Sequence, residues 1–302
     1  MVASPAVFEG AVAHDVIAHG RRVRVYEKGD GPPLLLLHDI FSDADTWADV
    51  AASLAREFRV ITLDLPGFGD SEQLPETRFS YDFPSFVDIV LDVAASRGAM
   101  RFSLCGHGLG GTIALHIASR HADLVERLVL VSPLVYETQR GLARIGSAPV
   151  VGTFFVKQLL GRRLFLTFQR SALRHAGQVP PEERLQAQFS RFSRPSARSS
   201  TAATLANTRD LRSSIACVPL VRAPALVVWG ATDRVSPLEH GRRIVRELSG
   251  ARFDVLDAGH TPQEEVPEAF VSSVLAFLKP PLPRASTRPS TSRVSTRPEK
   301  KA

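Results

Sequence analysis

Residues 101–118, RFSLCGHGLGGTIALHIA, read as a strand, a tight glycine turn and a helix. The residue at the centre of the turn is Gly108, which has no side chain with which to attack a substrate. Two other positions carry groups that can move a proton. Asp233 lies in LVVWGATDRVSP, just beyond a strand-like run, and His260 lies in DAGHTPQEEVPEAF, between a strand-like run and a helical one. An imidazole exchanges a proton near neutral pH, and a carboxylate bonded to it fixes its tautomer. Each also has a plainer use, Asp233 as a helix cap and His260 as a surface residue. Gly106, Gly108 and Gly111 spell G-x-G-x-x-G, the loop that cradles a pyrophosphate on a helix N-terminus. The acidic residue expected at the end of the next strand is missing from RLVLVSP, and the motif lies deep in the chain, so no cofactor is expected. The nine histidines contain no H-E-x-x-H spacing, and no metal is expected.

The elements around these residues alternate. RRVRVYE has the period of a half-buried antiparallel strand, and His19–Gly20 supply a turn before it. Runs at 32–38 and 58–64 are compact and apolar, as strands buried on both faces of a parallel sheet are, and 101–105, 127–132, 225–230 and 252–257 are further strand candidates. Helical spacing separates most of them, including DTWADVAASLAREF and a last helix from Glu264 to Lys279 with Val266, Phe270, Val274 and Leu278 on one stripe. Strands alternating with helices predict an α/β fold with a mostly parallel sheet. The alternation breaks between 134 and 213, where helical, arginine-rich sequence reads as an insert. The expected organisation is a core over 1–133, a helical cap over 134–213, the rest of the core over 214–279, and a basic disordered tail over 280–302.

Charge is unevenly distributed along the 302 residues, whose net charge is +6. Residues 140–200 hold eleven basic and two acidic residues, whereas residues 1–139 hold eleven basic and nineteen acidic ones. A basic insert drawn to an acidic body accounts for this more simply than an anionic partner, and no aromatic-basic module for nucleic acid accompanies it. Electrostatic contacts through the basic cap and tail remain open. No apolar run approaches the roughly eighteen residues of a membrane span, and no basic segment precedes an apolar one at the N-terminus. The two cysteines, Cys105 and Cys217, lie beside apolar strand-like sequence and suggest reduced, buried thiols, hence a cytoplasmic protein.

Five segments in order resemble the α/β-hydrolase superfamily, in particular its capped single-domain members: LLLLHDIFSDADTW, VITLDLPGFGDSE, CGHGLGG, LVVWGATDRVSP and DAGHTPQEEVPEAF, over roughly residues 8–279. The resemblance implies an α/β-hydrolase fold with a twisted, mostly parallel sheet, helices on both faces and an inserted cap. It puts the nucleophile at Gly108, where the family carries the Ser of Gly-x-Ser-x-Gly, and the triad acid and base at Asp233 and His260. It puts the oxyanion hole on the backbone N–H groups of Ile40 and Leu109, and His38, Asp39, Ser42 and His107 within reach of a substrate. Asp39 stands where the family has glycine, so its carboxylate could oppose a developing negative charge or point away and cap the loop. Cys105 and Ser71 are poor replacements for the nucleophile. The G-x-G-x-x-G match is then a by-product of glycine at the elbow. A serine at 108 is expected to complete a triad. The expected function is His–Asp general-base chemistry on a small, partly apolar organic molecule without a serine nucleophile, by activated water or by lyase- or cyclase-type proton abstraction. The alternative is an inactive pseudohydrolase that binds a ligand or partner.

Overall fold

The computed structural model describes residues 10–137, 149–172 and 180–279. Eight strands form one sheet: β1 (Val12–Ala18), β2 (Arg21–Lys28), β3 (Pro33–Leu37), β4 (Arg59–Leu63), β5 (Phe102–His107), β6 (Val125–Val131), β7 (Ala225–Gly230) and β8 (Arg252–Leu256). Their spatial order is β1-β2-β4-β3-β5-β6-β7-β8. The first two pairings, β1 with β2 and β2 with β4, are antiparallel, and every later one is parallel. The apolar runs become the central strands. Leu34 to Leu37, Leu104 and Leu128 to Val131 are buried because helices cover both faces of the sheet. β1 has no apolar run of its own. It forms because the His19–Gly20 turn, with φ of +46° and +73°, folds it back onto β2.

The helices on the body are α1 (Ala48–Leu54), α2 (Phe83–Ser96) and α3 (Leu109–Arg120). The insert contributes α4 (Pro149–Phe154) and α5 (Arg162–Thr167), each continued by a π turn, then α6 (Glu182–Ser193) and α7 (Pro195–Asn207). α8 (Arg212–Cys217), α9 (Leu238–Glu247), α10 (Pro262–Glu265) and α11 (Pro267–Leu278) follow among the described residues. The last two correct the expectation of one helix over 264–279. Val266 precedes Pro267 and adopts φ −137°, ψ 60°, because a residue before proline is driven out of the helical region. Phe270, Val274 and Leu278 still bury the expected stripe against Trp47 and the strands, while Val266 becomes a cap.

The body packs as two apolar layers, one on each sheet face, and the insert has a separate cluster around Val156, Leu160, Phe165, Leu185 and Phe192. Val135, Tyr136 and Leu211, within the expected cap, pack into the body layer. The charge asymmetry is realised in the contact between insert and body. Arg184 on α6 chelates the Asp49 carboxylate at 2.5 and 2.8 Å. Arg191, about two turns later, reaches Asp43 at 2.7 Å and also bonds Asp45, with all three side chains at most 10% exposed. Among the described residues no helix is long and apolar enough to cross a membrane. The tail expected to be disordered, 280–302, lies outside the described residues.

Candidate active site

The loops that leave the carboxyl ends of β3, β5, β7 and β8 converge on one spot, the usual place for a site on an open α/β sheet. Gly108 forms the turn between β5 and α3 with φ +52° and ψ −113°. Only glycine enters this region without strain. The neighbouring glycines serve close packing. A Cβ at Gly106 would lie 2.2 Å from the Gly110 carbonyl oxygen, and one at Gly110 would lie 2.4 Å from that of Leu37. The helix start is therefore pressed against β3 and β5, and the Gly110 N–H donates to the His38 carbonyl at 3.1 Å.

His260 Nδ1 donates to Asp233 Oδ2 at 2.8 Å. The other oxygen of Asp233 accepts the N–H groups of Val235 and Ser236, each at 2.8 Å, so the carboxylate is aimed by its own turn. The two plain uses weighed for Asp233 and His260 divide accordingly: Asp233 does cap a turn, while His260 is only 3% exposed. The His260 loop is clamped from α10. The Glu265 carboxylate accepts from Gly259 N at 2.7 Å and from Thr261 N at 2.9 Å, on either side of the histidine. Neither Glu265 nor Gln263 was expected at the site. Their signal was the polar run TPQEE directly after the histidine.

Asp39 decides what the site can do. Its carboxylate neither points away nor merely borders the site. A Cβ placed on Gly108 would lie 2.0 Å from both Asp39 Cγ and Oδ1, so the carboxylate fills the volume an elbow side chain would need. Leu109 N–H donates to Oδ1 at 2.6 Å, and Oδ2 stands 3.3 Å from His260 Nε2. A line of four groups results: Leu109 N–H, Asp39, His260, Asp233. The loop is pinned on both sides of Asp39. His38 Nδ1 donates to the Asp39 carbonyl at 2.7 Å, His38 Nε2 accepts from Leu65 N at 2.9 Å, and Phe41 is held at φ +60° with its ring between Phe168 and Phe192. Such a non-glycine φ is strained and persists only where surrounding contacts impose it.

The electrostatics follow from these contacts. Burial works against charge on Asp39, but hydrogen bonding from His260, the neighbouring imidazoles and the Leu109 amide more than offset it, and the carboxyl is held below the usual range. The N-terminus of α3 adds a favourable dipole. Asp233 is likewise held low, burial being outweighed by His260 and two backbone amides. Burial disfavours the His260 cation, yet the two flanking carboxylates push its pKa up to about 10. At neutral pH the site is an imidazolium between two carboxylates.

The remaining predicted residues fall into place around this line. Leu109 presents its amide to Asp39, while Ile40 is partly buried between the body layer and the insert's cluster. His38 has both ring nitrogens engaged by backbone and acts as a loop support. His107 Nε2 donates to the His260 carbonyl at 2.8 Å and its Nδ1 accepts from Gln263 at 3.2 Å; burial pulls its pKa down to about 4. Ser42 closes a turn onto the Asp39 carbonyl at 3.3 Å, and Ser71 ties the Asp64 carbonyl to the Arg24 amide. Cys105 is buried within β5, and burial alone raises its thiol far from the thiolate range. Asp39, His107 and His260 do bring three potential metal ligands within 4.8 Å of one another, a cluster that no local spacing announces. The lone pair of His107 is committed to Gln263 and Asp39 is committed to Leu109 and His260, so a cation would have to displace these bonds and the imidazolium proton. The helix N-terminus that a pyrophosphate would need already holds the Asp39 carboxylate.

Similarity to known proteins agrees with this architecture. Residues 32–267 match the family model described as alpha/beta hydrolase fold. The pimeloyl-[acyl-carrier protein] methyl ester esterase of Nitrosomonas europaea is 29% identical over 83% of this chain and 97% of its own. The 2-hydroxymuconate semialdehyde hydrolase of Pseudomonas sp. (strain CF600) is 28% identical over 88% of this chain and 94% of its own. The crystal structure of a hydrolase from Pseudomonas aeruginosa PA01 superposes with a TM-score of 0.76 at 24% identity, covering 90% of this chain and 99% of that one, which speaks to the fold. With the eight-stranded sheet, the inserted helices and a family match across most of its length, the chain belongs to the alpha/beta hydrolase fold family.

Proposed function

We propose that this protein is a hydrolase that works without a serine nucleophile, on a small, partly apolar organic molecule, through the line Asp39–His260–Asp233. Relatives whose names describe an esterase and a hydrolase support the class of reaction. Glycine at 108 supports the absence of the serine, because the turn carries no hydroxyl and Asp39 fills its space. The aromatic cluster of Phe41, Phe165, Phe168 and Phe192, which packs onto the loop directly after Asp39, supports an apolar substrate moiety.

The observation that carries the reading is that His260 is bonded at both nitrogens to carboxylates in a buried site. A retired site has no reason to keep a buried cation and two buried anions, whose desolvation costs several kcal/mol per ion, roughly, before pairing. Because His260 starts out protonated, it acts first as an acid towards a leaving group and only then as a base towards water. The reading is tested by labelling the full chain with a fluorophosphonate probe and by screening it against esters, lactones and cyclic ethers. Turnover that is lost in His260→Ala, with no serine labelled, is the expected result. A labelled serine, or no turnover of any kind, overturns it.

A further inference from the structure

The geometry points to Asp39 as the nucleophile of this site, a carboxylate delivered from the loop after β3 into the place where the elbow turn would present its own side chain. The inference rests on the serine-free reading above and goes further, by naming the attacking atom and the substrate class.

Three relations define an attacking group at this turn, and Asp39 has all three. It occupies the volume above residue 108, where an elbow side chain would begin, 2.0 Å from the position of a Cβ. It faces the imidazole through Oδ2, at 3.3 Å. It also presents its second oxygen, Oδ1, to the amide of the residue after the elbow at 2.6 Å. The last relation separates a nucleophile from a mere plug. If Oδ2 becomes bonded to a substrate carbon, Asp39 becomes an ester whose carbonyl oxygen is Oδ1. When water then attacks Cγ, the oxyanion develops on Oδ1, where the Leu109 N–H already points.

The chemistry of a carboxylate selects the substrate. Attack at an acyl carbon would give a mixed anhydride, a poor intermediate. Attack at a saturated carbon gives an ordinary ester, provided the leaving group departs. The only acid facing Oδ2 among the described groups is His260, which carries the proton that a leaving oxygen requires. The substrate class is therefore an epoxide or similarly strained cyclic ether.

The step balances without any co-reactant. The Asp39 Oδ2 lone pair forms the new C–O bond, the ring C–O bond breaks, and its electron pair takes the Nε2 proton of His260 to give a hydroxyl. His260, now neutral and oriented by Asp233, removes a proton from water as the water oxygen attacks Cγ. The Cγ–Oδ2 bond breaks, the departing oxygen is protonated by His260, and the diol leaves with Oδ2. The acid proton left on Asp39 passes to His260 and restores the ion pair. One oxygen of the carboxylate is thus exchanged for one from water in each turnover.

That exchange supplies the test. The full chain is incubated with styrene oxide and, separately, cyclohexene oxide in heavy-oxygen water under single-turnover conditions, and both the diol and the peptide containing Asp39 are weighed. Heavy oxygen in Asp39 and light oxygen in the first diol are expected. His260→Gln should accumulate one covalent adduct on Asp39, because the first bond forms slowly and the second step stops. Asp39→Asn, which keeps an oxygen for Leu109, should lose turnover by about a thousandfold or more. Heavy oxygen only in the diol means direct attack by water; it overturns the assignment of Asp39 while leaving the serine-free reading standing. No diol and no adduct with either epoxide, in the wild type or in His260→Gln, also overturns it. A serine labelled by fluorophosphonate removes the reading on which it rests.

Discussion

Introducing a serine at position 108 measures how firmly Asp39 holds the elbow. In Gly108→Ser a side chain must adopt φ +52°, at a cost of about 1–3 kcal/mol. Its Cβ would lie 2.0 Å from Asp39 Cγ, so the carboxylate must leave its place. Leaving breaks the 2.6 Å bond from Leu109 N–H and the 3.3 Å contact with His260, in a site where both ions are buried. Separating a buried pair costs about 3–5 kcal/mol. Together these amount to about 4–8 kcal/mol, comparable with the whole stability of an ordinary domain at about 5–15 kcal/mol. The single variant is therefore expected to unfold early in urea and to gain no esterase activity, contrary to the simple expectation that one hydroxyl completes a triad. Asp39→Gly combined with Gly108→Ser removes the collision. It also frees the Leu109 amide and leaves His260 with one carboxylate, so that it can act as a base for the serine. The double variant should be more stable than Gly108→Ser, with a favourable coupling of about 2–3 kcal/mol in a four-member urea cycle. It should also gain fluorophosphonate labelling and hydrolysis of p-nitrophenyl acetate. Gly108→Ser as stable as the wild type, or labelled while Asp39 is still present, would refute the claim that the carboxylate occupies the elbow.

Arg191→Ala should cost about 3–5 kcal/mol in urea unfolding, because it strands Asp43 and Asp45, which are under a tenth exposed, at the junction of insert and body. Glu265→Ala frees the amides of Gly259 and Thr261 and lets the His260 loop move; kcat should fall about 10- to 100-fold with little change in KM, since the loss is of positioning and not of binding. Stability should also depend on alkaline pH. The pKa of His260 is raised from 6.5 to about 10 on folding, so its contribution is complete below pH 6.5 and is lost as pH rises towards 10. Melting temperatures of the wild type should fall across that window more steeply than those of His260→Gln; equal slopes would contradict the ion-pair assignment.

The sequence made the frame legible because burial on both sheet faces requires apolar runs, and those runs mark β3 to β7 within a residue or two, while RFDVLD marks β8, an edge strand whose residues are exposed or half-buried. β1 was not legible, since one of its faces is open to solvent and its residues, among them His14 and Asp15, form no apolar run. The division of the last helix was visible in principle in Pro267, but the four-residue stripe through Val266 masked it. At the site, Asp233 and His260 are singled out by the family resemblance of the segments that carry them, since strand ends alone leave a helix cap and a surface histidine as plain alternatives. The position of Asp39 could not be read from residue order. It depends on the backbone of residues 38–41 being held by the Leu65–His38 bond and by the packing of Phe41 on Phe168 and Phe192, contacts distant in sequence. The same holds for the Asp39, His107 and His260 cluster, whose members come from two loops and the end of β5.

The most direct test of the central claim, that Asp39 stands charged between the Leu109 amide and the His260 imidazolium, is a nitrogen-15 NMR titration of the histidine side chains in the full chain. The His260 signal, assigned by its loss in His260→Gln, should show an imidazolium at pH 7 and titrate near pH 10, and in Asp39→Asn its midpoint should move towards 6.5 because one of two flanking charges is gone. A His260 that titrates near 6.5 in the wild type, or whose midpoint is indifferent to Asp39→Asn, would contradict the account.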